Sequence, residues 1–288
     1  MQISDYRINQ ALNAIHRDIG GDLSAAKLAG IAACSEAHFH RIFRKAVGEN
    51  VHEYVRRTRL EQAANQLMFV PNMSIEEIAA LCGFSSLSSF SRAFKHQFSV
   101  PPGRWRLREK NTGTAPWRTD TAVAAGYERI RTLELPHARL IEREEQAVAY
   151  VRHKGYGRSI RRPWQTLQAW CLTQNRSFEN QIGLHHSNPA WVKLDHCRYV
   201  ACVPITEPVI RRGPVSAMML PGGLHAAFEL KGKYGELLPW LSRVQDEWLP
   251  ASGFKMSTTP AFVQYRKNHF LEEDETFELS LFLPISIY

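Results

Sequence analysis

The sequence predicts a multidomain protein: an all-α domain holding two helix-turn-helix units, then an α+β domain of two β-α-β-β repeats. Three observations carry this. Residues 1–108 repeat on themselves at an offset of 51. The C-terminal half also repeats on itself. Between them lies a stretch of Thr, Gly, Pro and Ala without periodicity.

In the first repeat, "HFHRIFRK" (His38–Lys45) falls on "SFSRAFKH" (Ser89–His96), so Phe39 meets Phe90, Arg41 meets Arg92 and Phe43 meets Phe94. Upstream, Ser24 and Ser74 each precede an amphipathic stretch, as N-caps do. Each copy therefore reads as helix, turn, helix, with turns near Ala33–Cys34 and Cys82–Gly83. The recognition-type helices are expected over 35–45 and 86–97. Between the copies, "NVHEYVRRTRLEQAANQLMF" keeps helical spacing and ends before Pro71. A helix of ~18 residues there is ~27 Å long and holds the two units at a fixed separation.

On a helical wheel, Phe39, Ile42, Phe43 and Ala46 face inward in the first copy, and Ala37, His40, Arg41 and Arg44 face out. In the second, Leu87, Phe90, Ala93, Phe94 and Phe98 face inward. Ser85, Ser88, Ser89, Arg92 and His96 form the opposite stripe. An apolar back with a front of small hydroxyls and arginines suits a helix lying in a DNA major groove. Serine lets the helix approach closely, and arginine can bond guanine O6 and N7 together. The competing reading is a solvated helix face, which the arginine at the same place in both repeats argues against.

Charge agrees in direction. The chain carries a net +8, and residues 1–108 hold 14 Lys/Arg against 9 Asp/Glu. A basic part suits nucleic acid, although a merely basic surface is common. The five cysteines are scattered and form no CxxC pair. They point to reduced thiols in a cytoplasm rather than to a disulfide framework or a zinc site. "MQISDYRINQ" has no basic leader followed by an apolar stretch, so no signal peptide is expected, and no run is long enough for a membrane span.

At these residues a resemblance appears. "IEEIAALCGFSSLSSFSRAFKHQFSVPPGRWR" (Ile75–Arg106) and "RRTRLEQAANQL" make residues 5–108 similar to the AraC/XylS-type DNA-binding domain. Its marks here are Ile78-Ala79, Gly83-Phe84, Phe90 to Lys95, and Pro101 ahead of Trp105-Arg106. The resemblance implies a monomer engaging two successive major-groove faces of double-stranded DNA, with activation through RNA polymerase more usual than repression. Base-facing candidates are His40, Arg41, Ser88, Ser89 and Arg92. Arg44, Lys95 and His96 suit phosphate. Relatives of the Mar/Sox/Rob kind carry Trp and Gln where this chain has Ala37 and His40, and glutamines near Leu87 and Ser88, which implies a different target sequence.

In the second half, "VAYVRHKGYGRSIRRPWQTLQAWCL" (Val148–Leu172) matches "HAAFELKGKYGELLPWLSRVQDEWL" (His225–Leu249). Each copy has a strand pattern, Lys-Gly, Tyr-Gly and a Trp-bearing helix, followed by two further strand-like runs. Two such units side by side leave a groove between pseudo-symmetric halves. Residues 127–288 resemble the GyrI-like effector-binding domain, with 109–126 as linker. The resemblance implies a small-molecule site among aromatic rings, with Tyr150, Tyr156, Trp164, Phe228, Tyr234 and Trp240 as candidates and Glu278 as substitute carboxylate. Glutamates usual in relatives are replaced by Val263 and Ser280, which favours a more neutral ligand, or none, over a cation.

The alternative reading is a GyrI-like hydrolase or a ligand-sequestering protein. GxSxG, HExxH, a phosphate loop and a Rossmann fingerprint are all missing. The pairs His185-His186 and Asp195-His196 sit in a stretch that reads as loop, with no third ligand at a clear spacing. No enzyme activity, cofactor or metal is expected.

Overall fold

The computed structural model describes residues 3–70, 72–107, 115–207, 209 and 214–287. The chain divides into two compact units, residues 2–112 and 113–288.

The first unit is helical. Its elements are α1 (Ile3–Arg17), α2 (Ala25–Ile31), α3 (Glu36–Val47), α4 (Val51–Phe69), α5 (Ile75–Leu81), α6 (Leu87–Phe98) and α7 (Pro102–Arg106). Helix starts follow capping chemistry, in which a side-chain oxygen accepts an otherwise orphaned N–H. Ser24, Ser35, Asn50, Ser74 and Ser86 all do this. Ser74 and Glu77 complete a reciprocal capping box. Gly48 ends α3 at φ +83°, and Gly83 turns the chain between α5 and α6 at φ +75°; both conformations favour glycine.

Each helix-turn-helix has its own core. Ile8, Leu12, Ile15, Leu28, Phe39, Phe43 and Tyr54 close the first. In the second, Phe90, Phe94, Phe98 and Trp105 form a cluster of tilted and edge-on rings with centroids 4.6 to 5.5 Å apart. The Trp105 indole donates to the Ala64 carbonyl of α4 at 3.2 Å. Helix α4 is the 19-residue spacer between them. From it Arg59 donates to the carbonyls of Ile19, Gly21 and Gly83 at 2.8 to 3.0 Å. One guanidinium thus ties the spacer to the α1–α2 loop and to the α5–α6 turn. Pro71, the expected stop signal, lies outside the described residues.

The second unit opens with a 3-10 turn at Pro116–Thr119 and helix α8 (Thr121–Ile130). It continues through β1 (Arg139–Arg143), β2 (Gln146–Lys154), α9 (Arg161–Thr173), β3 (Ile182–His185), β4 (Arg198–Pro204), β5 (Ser216–Leu220) and β6 (Gly223–Lys233). Then come α10 (Leu237–Arg243), a π turn over Val244–Trp248, α11 (Leu249–Ala251), β7 (Lys255–Met256), β8 (Ala261–Lys267) and β9 (Thr276–Ser286). The sheet order is β1-β6-β9-β8-β3-β4-β2-β5, with β7 paired to β9.

The two expected β-α-β-β repeats are β2-α9-β3-β4 and β6-α10-β8-β9, and each is preceded by a further short strand, β1 or β5. These short strands are exchanged: β1 pairs with β6 of the second repeat, and β5 with β2 of the first. The segment read as linker, 109–126, is also ordered in its latter part. Asp120 caps α8 by accepting from Ala122 and Val123, and Trp117 is buried beneath Tyr127 and Arg118. Small residues there serve contact rather than looseness. A Cβ added at Gly126 would lie 2.2 Å from the Gly235 carbonyl, and one at Gly235 would lie 2.2 Å from that of Ala122. Residues 109–114 of the expected linker lie outside the described residues.

Arg59→Ala should destabilise the first unit by about 2–4 kcal/mol, since three carbonyls lose a charged donor; urea denaturation of the variant checks this, and Arg59→Lys should recover little because an ammonium lacks the planar fork. Gly126→Ala should lower the thermal midpoint of the second unit, because a methyl group there meets backbone rather than a movable side chain.

Candidate nucleic-acid interface and ligand cavity

On α3, Ala37, Arg41 and Arg44 are exposed, while Phe39 and Phe43 are buried on the opposite face. Arg41 donates to His38 Nδ1 at 2.9 Å, which holds its guanidinium along the helix. His40 is half-buried, with Nε2 3.7 Å from Glu36 and its ring 5.5 Å from that of His52.

On α6, Ser88, Arg92, Lys95 and His96 are exposed in one stripe, and Arg92 makes no hydrogen bond or ion pair among the described residues. The serines divide by task. Ser86 accepts from the Ser89 N–H, and the Ser89 hydroxyl donates back to the Ser86 carbonyl at 2.9 Å. Ser89 therefore keeps acceptor capacity only, and Ser88 is the freer hydroxyl, with its oxygen 3.3 Å from that of Ser86. Leu87 corrects the helical-wheel reading. It is 43% exposed rather than inward, because it is the first residue of α6 and no preceding turn covers it.

In the second unit a cavity with about 380 Å³ of empty space, its open mouth included, lies between the halves. It is lined by Tyr156 and Gly157 from one repeat and by Tyr234 and Gly235 from the matching place in the other. His185, His269, Phe270, Ile160, Leu237 and Leu238 complete the lining with Val123 of α8. Tyr156 is fixed by its hydroxyl, which accepts from the Ser187 N–H and lies 3.0 and 3.1 Å from the Ser187 and Arg198 carbonyls. Arg158 sits 4.0 Å over the Tyr234 ring and pairs with Glu275.

Two of the seven expected ligand residues, Tyr156 and Tyr234, line this cavity. The other five do not. Tyr150 lies on the sheet face that also carries Val148, Val200 and Phe262, and Tyr156 follows only after β2 has ended. Glu278 projects from that same face, half-buried and 3.1 Å from Lys231, because it alternates with buried Phe277 and Leu279. Trp164 is fully buried and spends its N–H on the Tyr199 hydroxyl at 3.2 Å. Phe228 packs edge-on against Trp248, and Trp240 lies under Arg243.

The sequence reading missed the two histidines. His185 is not in a loop but ends β3, and His269 follows β8. Both are buried, at 6% and 4% exposure. Burial pushes His185 down to about 4 and His269 to about 3, the latter helped by His185 and Arg158. Among the described residues no three His, Cys, Asp or Glu side chains group as metal ligands.

Both histidines resist protonation when folded but titrate near 6.5 when exposed, so the unfolded chain binds more protons below that pH. Stability of the second unit should fall as pH drops from about 6.5 toward about 4, by about 1.4 kcal/mol per pH unit for each histidine. Denaturant titrations across this range check the slope, and His185→Phe should reduce it.

Comparison with known proteins places both units. The family described as "Helix-turn-helix domain" matches residues 28–108, and "GyrI-like small molecule binding domain" matches residues 137–286. "Probable transcriptional regulator LumQ" of Photobacterium leiognathi is 35% identical over 103 residues, which is 35% of this chain and 41% of that one. "Msm operon regulatory protein" of Streptococcus mutans is 32% identical over 104 residues, 36% of this chain and 37% of that one. The chain thus spans well under half the length of these relatives. Among solved structures, an AraC-type transcriptional regulator from Chromobacterium violaceum aligns with 38% of this chain and 97% of its own, at 26% identity and a TM-score of 0.35.

Proposed function

The chain belongs to the GyrI-like small molecule binding domain family and carries an AraC-type helix-turn-helix domain ahead of it, and from this we propose a sequence-specific, DNA-binding transcriptional regulator that senses a small molecule. The observation that carries the reading is the pair of equivalent helices, α3 and α6. Each has a phenylalanine-anchored back and an arginine-bearing exposed front, and α4 holds them apart at a set distance. Two such helices on a rigid spacer suit successive major grooves of one duplex, read by a monomer.

In this reading His40, Arg41, Ser88, Ser89 and Arg92 meet base edges, Arg44, Lys95 and His96 meet phosphates, and Ala37 and Leu87 lie at the same DNA-binding surface. The second unit takes an effector in the Tyr156–Tyr234 cavity. The regulator acts in the cytoplasm, more as an activator through RNA polymerase than as a repressor. The printed names of the relatives, transcriptional regulators, support a role without enzyme activity. Among the described residues no helix is long and apolar enough to cross a membrane.

Selection from a random duplex pool tests this reading. The expected outcome is an asymmetric site with two blocks roughly 10 bp apart and a steep fall of affinity with salt. On that site Arg92→Ala should cost about 1–3 kcal/mol while leaving affinity for random DNA nearly intact. Equal loss on both would assign Arg92 to phosphate.

A further inference from the structure

The cavity has a chemical signature of its own. Most of its wall is apolar or aromatic, which supplies stacking surface. The Tyr156 hydroxyl is already engaged by the backbone around Ser187. The imidazoles are different. Among the described residues neither ring nitrogen of His185, nor Nδ1 of His269, has a hydrogen-bond partner, although all three atoms are buried. The Tyr156 and Tyr199 rings meet His185 at 5.2 and 5.3 Å, and Phe270 lies 4.0 Å from His269. These contacts hold the rings in place without satisfying the nitrogens.

Leaving a buried donor or acceptor unmade costs about 1–3 kcal/mol, so such groups are normally paired. A neutral imidazole offers one N–H and one lone pair. The complementary group therefore has a donor beside an acceptor. Charge narrows the choice further. No lining residue is acidic, so a buried cation would meet no counter-charge. Arg158, at the Tyr234 side, is already matched by Glu275, so a buried anion would have no spare cation there.

We propose that the cavity selects an uncharged planar aromatic or heteroaromatic molecule bearing an amide-type group, a donor next to an acceptor, read by His185 and His269. The inference rests on the reading of this cavity as the effector site. His185 and His269 set specificity, and the rings of Tyr156, Tyr234 and Phe270 supply stacking.

The test uses three probes of nearly one shape: benzamide, benzoate and benzamidinium, titrated calorimetrically into the full chain. Benzamide should bind at least about tenfold more tightly than benzamidinium, the scale of one well-made hydrogen bond. Benzoate should bind more weakly than benzamide. His185→Phe and His269→Phe, which keep a planar ring, should each erase that preference. His269→Gln, which keeps a donor and an acceptor, should retain part of it. A benzamidinium affinity equal to or above that of benzamide overturns the proposal, as does the absence of saturable binding by all three probes. So does a preference for benzamide that survives both phenylalanine variants.

DNA affinity measured with and without benzamide separates the two readings. Selective benzamide binding that leaves DNA affinity unchanged upholds the ligand class and removes effector sensing. Sequence-specific DNA binding by a chain that ignores benzamide removes the ligand class alone.

Discussion

The first unit depends on one guanidinium. Arg59 projects from the middle of α4 and donates to backbone carbonyls at both ends of its reach, Ile19 and Gly21 on one side and Gly83 on the other. Its partners are main-chain atoms of the two segments that set the directions of α2 and α6. The fork geometry of arginine makes this possible, because several donors leave one plane in fixed directions. Gly20 belongs to the same arrangement: a Cβ there would lie 2.4 Å from the Leu81 carbonyl, so loop and turn approach as backbone against backbone. The distance between the two exposed helix faces is thus set by hydrogen bonds rather than by side-chain packing alone. Packing tolerates small slides more readily than three directed bonds do.

Much of this was legible in the sequence, for local reasons. Caps, turns and helix faces depend on residues three or four apart, so Ser24, Ser74, Gly83 and the phenylalanine rows announced themselves. The serine stripe was legible only in part. Composition shows hydroxyls on a face but not that Ser86 and Ser89 bond to one another across the first turn of α6. The cavity was the least legible region. Its tyrosines stand in a repeated Tyr-Gly motif, whereas His185 and His269 lie 84 residues apart and at unmatched places in the two repeats. Only the sheet brings them together. The misplacement of Tyr150 and Glu278 has the same root, since which face of a strand points to a cavity is decided by partners distant in sequence.

Symmetry and function pull apart in the second unit. The duplication supplies a matched pair of aromatic walls, which alone would suit many flat molecules. The two histidines break the match, one ending β3 and the other following β8. Helix α8 adds a third contribution through Val123, from outside either repeat. Its tight seat against Gly235, with the Arg129–Glu236 pair and the Arg243 bonds to the Ile130 and Leu133 carbonyls, makes that wall a fixed part of the cavity.

The exchange of β1 and β5 between the repeats bears on how the chain is made. Helices of the first unit meet neighbours close in sequence, so that unit can fold as soon as it leaves the ribosome. The first repeat of the sheet cannot finish at its own end. Its strand β2 waits for β5, about 70 residues further on, and β1 waits still longer for β6. The edges left open meanwhile are those most apt to pair with another nascent chain. Synthesis therefore delivers the helical unit first, and the two halves of the sheet mature only together.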